Sequence, residues 1–148
     1  MLNRIIHYYW RLKRGMTLGV RGVVLDGEGR VLLVRHGYAP GWHLPGGGVE
    51  PGETFAEALA RELLEEGNVR LTGAAVLHGI FQHPAASERD HVAVYVVREF
   101  EWAGARKPTF EIPEARFFSI SDLPGNLNEG SRRRLEEILR KLPPAARW

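Results

Sequence analysis

The spacing of hydrophobic and polar residues changes several times along the chain, and each change marks an element. Residues 3–14 interleave Ile5, Ile6, Tyr8, Tyr9 and Trp10 with Arg4, His7, Arg11, Lys13 and Arg14, which predicts a short amphipathic helix. Residues 17–26 and 30–36 are rich in Val and Leu, and Asp26-Gly27-Glu28-Gly29 between them is a turn signal, so the pattern predicts a β-hairpin. A Gly/Pro-rich loop over residues 36–52 follows, long enough for a compact domain to imply a function. Residues 54–66 then read as a helix. Thr54 and Glu57 form a capping box, and Phe55, Leu59 and Leu63 make an apolar stripe. Gly67-Asn68 ends it, since both residues tolerate a left-handed cap. Strands are expected at residues 74–82 and 91–102 around a polar loop at 83–90, with a short strand at 115–119. A last helix over 131–142 carries Leu135, Ile138, Leu139 and Leu142 on one side. Strands, a helix, more strands and a helix predict an α+β fold with helices packed on a mixed sheet.

Composition narrows this picture. The chain of 148 residues is 44% hydrophobic and 26% charged, which is ordinary for one globular domain, here taken as residues 1–148. No cysteine occurs, so disulfides, thiolate catalysis and zinc-thiolate sites are excluded. No apolar run is long enough for a membrane span, and the start lacks the clean apolar core of a signal peptide, so a cytoplasmic location is expected. Net charge is only +2 but unevenly spread. Residues 1–35 hold seven Arg/Lys against Asp26 and Glu28, residues 50–66 hold six Glu against Arg61, and residues 130–148 hold six Arg/Lys against Glu136 and Glu137. Carboxylates repel phosphate, so an acidic centre binds a polyanion only through an intervening cation.

The acidic centre is chemically unusual. Glu62, Glu65 and Glu66 stand at i, i+3 and i+4, so their carboxylates share one face. Each like-charge pair at i,i+4 costs about 0.2–0.5 kcal/mol, and the helix C-terminus adds its own repulsion. Arg61 offsets part of this through Glu57 or Glu65. Such a cluster suits a hard divalent cation, with Mg2+ the default beside phosphate and Mn2+ the alternative. The triplet Gly46-Gly47-Gly48 in the preceding loop lets backbone amides and carbonyls approach a ligand closely.

Gly47, five residues, Glu53, seven residues, then Arg61-Glu62-Leu63-Leu64-Glu65-Glu66 resembles the Nudix box of the Nudix (MutT-like) hydrolase superfamily, placing the box at residues 47–69. It departs from the usual pattern at Asn68, where the family normally has glycine. The likeness extends to the lead-in from Trp42 to Gly47 and to Glu111-Ile112-Pro113-Glu114-Ala115-Arg116-Phe117-Phe118 with Asp122-Leu123-Pro124. The resemblance implies an α/β/α sandwich and Mg2+-dependent hydrolysis of a nucleoside diphosphate linked to another group. Carried over position by position, it implies Gly46, Glu62, Glu65, Glu66 and Glu111 around the metal. Glu62 would deprotonate or orient water, and Arg61 would hold Glu53. Glu111 and Glu114 are alternative bases. Pro84 falls where an ADP-ribose-type subgroup carries a proline, and Ala86 and Ser87 stand where diadenosine-polyphosphate enzymes carry a tyrosine. Nucleoside diphosphate sugars therefore rank first and nucleoside triphosphates second. A nucleotide-binding module without catalysis is the contrasting reading.

Other side chains carry weaker signals. Arg21, Arg35, Tyr38 and His43 are candidates for substrate contact, with strand-edge charge the plainer reading for the arginines. Trp42 and Phe81 read as packing residues, and His36 and His83 as polar surface. Arg132-Arg133-Arg134 reads as the exposed side of the last helix; without interleaved aromatics, nucleic-acid binding is not expected. The N-terminal helix is expected to cover a sheet edge or contact a second copy of the chain, with a membrane surface the other reading.

Overall fold

A computed structural model describes residues 1–148. Its elements are α1 (Leu2–Lys13), β1 (Thr17–Val24), β2 (Arg30–His36), β3 (Ala39–His43), β4 (Gly46–Gly48), α2 (Phe55–Gly67), β5 (Val69–Leu71), β6 (Val76–Gln82), β7 (Asp90–Val97), β8 (Phe100–Trp102), β9 (Glu114–Ser119) and α3 (Glu129–Leu139). Strands run β4-β1-β7-β6 in one sheet, β3-β2-β9 in a second, and β5-β8 in a third. β1 and β7 are parallel, from Thr17 opposite Asp90 to Val24 opposite Val97, whereas every other pairing is antiparallel. This is the mixed α+β arrangement expected from the order of elements.

Period-two alternation divides the core. Val20, Val24, Leu32, Ala93 and Val97 face α2 and meet Ala58, Leu59 and Leu63. Val23, Val31, Leu33, Val92 and Val94 face the opposite way and pack with Phe81, Trp42 and Leu135 of α3. The strands are thus buried on both faces between two helices.

The predicted hairpin needs correction. Its turn forms, since Asp26 Oδ1 accepts from the amides of Glu28 and Arg30 at 2.9 Å each, and Leu25 bridges Val31. Beyond that bridge β1 and β2 part into different sheets. Strands apolar on both faces need neighbours on both edges, and these come from distant segments. The loop over 36–52 contains β3 and β4. The expected strand at 91–102 breaks after Val97, and its last part pairs as β8 with β5. The last helix starts earlier, where Asn128 accepts from the Ser131 amide at 3.0 Å, and ends at Leu139 before Lys141 turns to φ 54°.

Two further expectations fail. α1 covers no sheet edge, because none of its residues is buried. Arg134 is not on the exposed side of α3: it is 1% exposed, with its Nη2 2.8 Å from Glu137 Oε1.

The start of α2 follows the sequence closely. Thr54 Oγ1 accepts from the Glu57 amide at 3.2 Å and the Glu57 carboxylate accepts from the Thr54 amide at 2.8 Å, completing the box. At the other end Asn68 is left-handed at φ 58°, so the departure from glycine leaves the cap intact. Thr54→Ala is expected to cost about 1 kcal/mol. Calorimetry should read this as a fall of roughly 2–4 °C in Tm.

Candidate active site

Two glycines of the triplet, Gly46 and Gly47, are held too close to their neighbours for a side chain, whereas Gly48 faces open space. Gly46 has φ 147°, and a Cβ there would collide with the Val20 carbonyl oxygen. A Cβ on Gly47 would strike the Glu62 carboxylate. Held this close to α2, the Gly46 amide donates to Glu66 Oε2 at 2.8 Å. Its carbonyl accepts from Arg21 Nη1 at 2.8 Å, so Arg21 braces the loop from β1.

Arg61 organises the neighbouring carboxylates. Its Nε and Nη2 meet Glu53 Oε1 and Oε2 at 2.7 and 3.0 Å, a bidentate fork, while Nη1 reaches Glu62 Oε1 at 2.8 Å. Nη2 also donates to the Gly48 carbonyl at 3.1 Å, and Glu65 Oε2 lies 3.6 Å from Nη1. The Arg61 hydrogen bonds, helped by the Glu50 amide, hold Glu53 down at about 2. Glu57 belongs to the cap and not to this network.

Glu62, Glu65, Glu66 and Glu111 line one cavity of about 460 Å3, with His36, Tyr38, Arg106, Thr109, Phe110 and Ile112 completing the wall. The three helix carboxylates are not equivalent. Glu65 is largely exposed, Glu62 is turned toward Arg61, and Glu66 is only 8% exposed. Burial pushes Glu66 up to about 7, outweighing the lowering by the Gly46 amide and Arg21; Glu62 and Glu65 raise it further. No three His, Asp or Glu side chains converge as a ready-made cation cage. The donor chemistry nevertheless fits a hard divalent cation: all-oxygen, strongly acidic, and containing a buried carboxylate with no Arg or Lys in ion-pair contact.

His36 sits between Glu66 and a second cavity of about 140 Å3 that Arg21, Tyr38, His43, His83, Asn128, Ser131 and Trp148 also line. Both His36 ring nitrogens lack hydrogen-bond partners, and Nδ1 is 3.9 Å from Glu66 Oε1, too far for a hydrogen bond. Burial, with Arg21 and His43 nearby, drives His36 down to about 4, so the ring is neutral near pH 7. Tyr38 stacks on it with centroids 5.0 Å apart. His43 Nε2 lies 2.9 Å from the Pro40 carbonyl, which only accepts, so that nitrogen carries the proton.

Two candidates lie elsewhere. Arg35 Nη2 and Glu114 Oε2 pair with each other at 3.0 Å, across β2 and β9, and neither lines these cavities. The sequence reading missed Arg106, Thr109 and Phe110, which sit in a connector with no motif. It also missed Trp148, whose amide donates to the Gln82 carbonyl at 2.9 Å, bringing the indole beside His83. Trp42 and Phe81 are buried as expected.

The site is thus a glycine-rich strand end that delivers an amide to a carboxylate-bearing helix, inside an α/β/α sandwich. The chain belongs to the NUDIX domain family, whose profile matches residues 15–141. A Bacillus subtilis (strain 168) protein provisionally named an 8-oxo-dGTP diphosphatase is 38% identical over 76 residues, 51% of this chain and 50% of its own. An ADP-ribose pyrophosphatase of Methanocaldococcus jannaschii is 31% identical over 118 residues, covering 78% of this chain and 69% of that protein. The crystal structure of a MutT NUDIX hydrolase from Burkholderia pseudomallei superposes with a TM-score of 0.72 at 28% identity, covering 82% of this chain and 97% of that one. The chain therefore spans half of the Bacillus relative's length. NUDIX hydrolases work with divalent metal ions, and no helix here is long and apolar enough to cross a membrane.

Proposed function

We propose that this chain is a Mg2+-dependent pyrophosphohydrolase that cleaves a nucleoside diphosphate linked to another group, nucleoside diphosphate sugars of the ADP-ribose type first among them. The observation carrying this reading is the buried Glu66 carboxylate, without a cationic partner, in one cavity with Glu62, Glu65 and Glu111. The relative named an ADP-ribose pyrophosphatase supports the substrate class, because its likeness extends over 78% of this chain. Nucleoside triphosphates are the second reading, favoured by the Bacillus relative's name.

Glu62, Glu65, Glu66, Glu111 and the Gly46 carbonyl would hold the metal, which when bound neutralises the diphosphate and acidifies water. The protein's own part is positioning. Arg61 ties Glu53 and Glu62 to the Gly48 carbonyl, so Glu62 is presented in a fixed orientation to take a proton from the attacking water. Glu111, from the segment before β9, is the alternative base. Arg21 braces the loop and also lines the smaller cavity. Tyr38 and His43 line the smaller cavity, which would receive one end of the substrate.

A phosphatase-coupled phosphate-release screen over nucleoside diphosphate sugars, nucleoside triphosphates and dinucleoside polyphosphates, with and without Mg2+ or Mn2+, tests the proposal. Turnover of ADP-ribose that chelation abolishes and Mg2+ restores is expected. Calorimetric binding of these ligands with no product formed would replace the enzyme by a binding module. Arg61→Lys keeps the charge but loses the fork, and is expected to lower kcat/KM tenfold or more, by roughly 1.5–3 kcal/mol. A rate equal to that of the unaltered protein would remove Arg61 from the machinery.

A further inference from the structure

Helix α1 lies outside the matched residues 15–141 and buries nothing, yet its surface is sharply divided. Leu2, Ile5, Ile6, Tyr9 and Leu12 recur at helical spacing along one side, flanked by Tyr8 and Trp10. Leu2 and Leu12 are each 69% exposed. Arg4, His7 and Arg11 line the opposite side, and the Arg14 guanidinium folds over the Trp10 ring at 3.9 Å from its centroid. Lys13 falls at the end of the apolar side, where a long stem carries its charge outward. The first carboxylate in the chain is Asp26, so every side-chain charge in the preceding residues is basic.

We propose that α1 lies in the plane of an anionic lipid surface, its apolar side in the acyl boundary and its arginines among acidic headgroups. The helix is too short and too polar to cross a bilayer. Aromatic rings between an apolar stripe and a basic one match the interfacial layer of a membrane, which supplies apolar depth and negative charge together. A polynucleotide would satisfy the charge and leave the apolar side in water. A second copy would offer another basic helix, or the acidic patch around α2, where Glu53 and Glu62 are engaged by Arg61, Glu57 by the cap, and Glu66 is buried, leaving Glu65 as the one largely exposed carboxylate among them.

The test uses the full chain with vesicles of equal parts phosphatidylglycerol and phosphatidylcholine, and with vesicles of phosphatidylcholine alone. Co-sedimentation with the anionic vesicles, weakened by salt, is expected, with a blue shift in tryptophan emission that Trp10→Phe removes. Reversing charge at Arg4, Arg11 and Arg14 together should reduce partitioning about a hundredfold. Leu12→Asp should also release the protein. Neither change should alter Tm or nucleotide hydrolysis in solution, because α1 packs on nothing. Equal binding to both vesicle types would overturn the proposal, as would no binding to either. So would a dimer in sedimentation velocity that Leu12→Asp dissociates without any vesicle binding by the unaltered chain; α1 would then be a self-association helix.

Discussion

Replacing Glu66 by glutamine is expected to lower kcat/KM by about a thousandfold, an effect of about 4 kcal/mol on the transition state, without lowering Tm. The two halves of this expectation have separate origins. Glutamine keeps an oxygen to accept the Gly46 amide, so the contact between β4 and α2 survives. It removes a charge that burial already disfavours, so stability should hold or rise, the usual relation between an active site and its scaffold. The same substitution removes the most deeply buried oxygen donor facing the cavity. Steady-state kinetics across a Mg2+ titration, paired with calorimetry, checks both halves. The Mg2+ concentration for half-activation should rise. Turnover matching that of the unaltered protein would strip Glu66 of its role, and a collapsed Tm would show that it serves the fold instead.

Arg134→Met is expected to have the largest effect on stability, a loss of about 3–5 kcal/mol. Glu137 accepts from Arg134 Nε at 2.9 Å and Nη2 at 2.8 Å, with His78 Nε2 at 2.8 Å and the Ala145 amide at 3.1 Å completing its shell. The guanidinium also lies 4.2 Å from the Phe81 ring centroid and donates to the Arg147 carbonyl at 3.2 Å. Methionine fills much of the volume but leaves a buried carboxylate with half its partners. Tm should fall by roughly 10 °C. Arg134→Met with Glu137→Leu should recover most of the loss, since an apolar pair can replace a buried ion pair. A drop below about 1 kcal/mol in the single variant would mean that the pair adds no more than a surface one.

This network also sets an acid limb. Burial raises the Glu137 carboxyl, but His78, Arg134 and the Ala145 amide outweigh it and hold the group below the ordinary carboxylate range. A carboxylate depressed on folding contributes stability that is complete above its unfolded pKa of about 4.3 and is lost as pH falls through the folded value. Urea titrations from neutral pH downward should show this loss, and Arg134→Met should flatten it.

These two residues also mark what the sequence could disclose. The cap of α2 was legible, because Thr54, Glu57 and Asn68 act through neighbours within one helical turn. Glu66 was legible as part of an acidic cluster. Its burial had a signal too: it continues the stripe Phe55, Leu59, Leu63 one turn on, so a charge stands where the period calls for an apolar side chain. Arg134 had only a nearby clue in Glu137, and three consecutive arginines read naturally as surface. Its other partners come from β6 and the C-terminal residues, a proximity that no local pattern encodes. The hairpin failed for the same reason. Turn chemistry at Asp26 specifies where the chain reverses but not which edges the two strands will seek.

The parallel seam between β1 and β7 gives the protein a timetable. Thr17 and Asp90 are joined by a hydrogen bond across 73 positions, so β1 cannot gain its inner neighbour until most of the chain has been synthesised. While the ribosome works through α2, β5 and β6, a strand meant for complete enclosure waits with one edge open and two apolar faces uncovered. The acidic helix carries its caps locally but owes its stability to the apolar side that packs on the strands. The sheet that must support it comes last, so a pause in translation before residue 97 leaves the acidic helix over an unfinished floor.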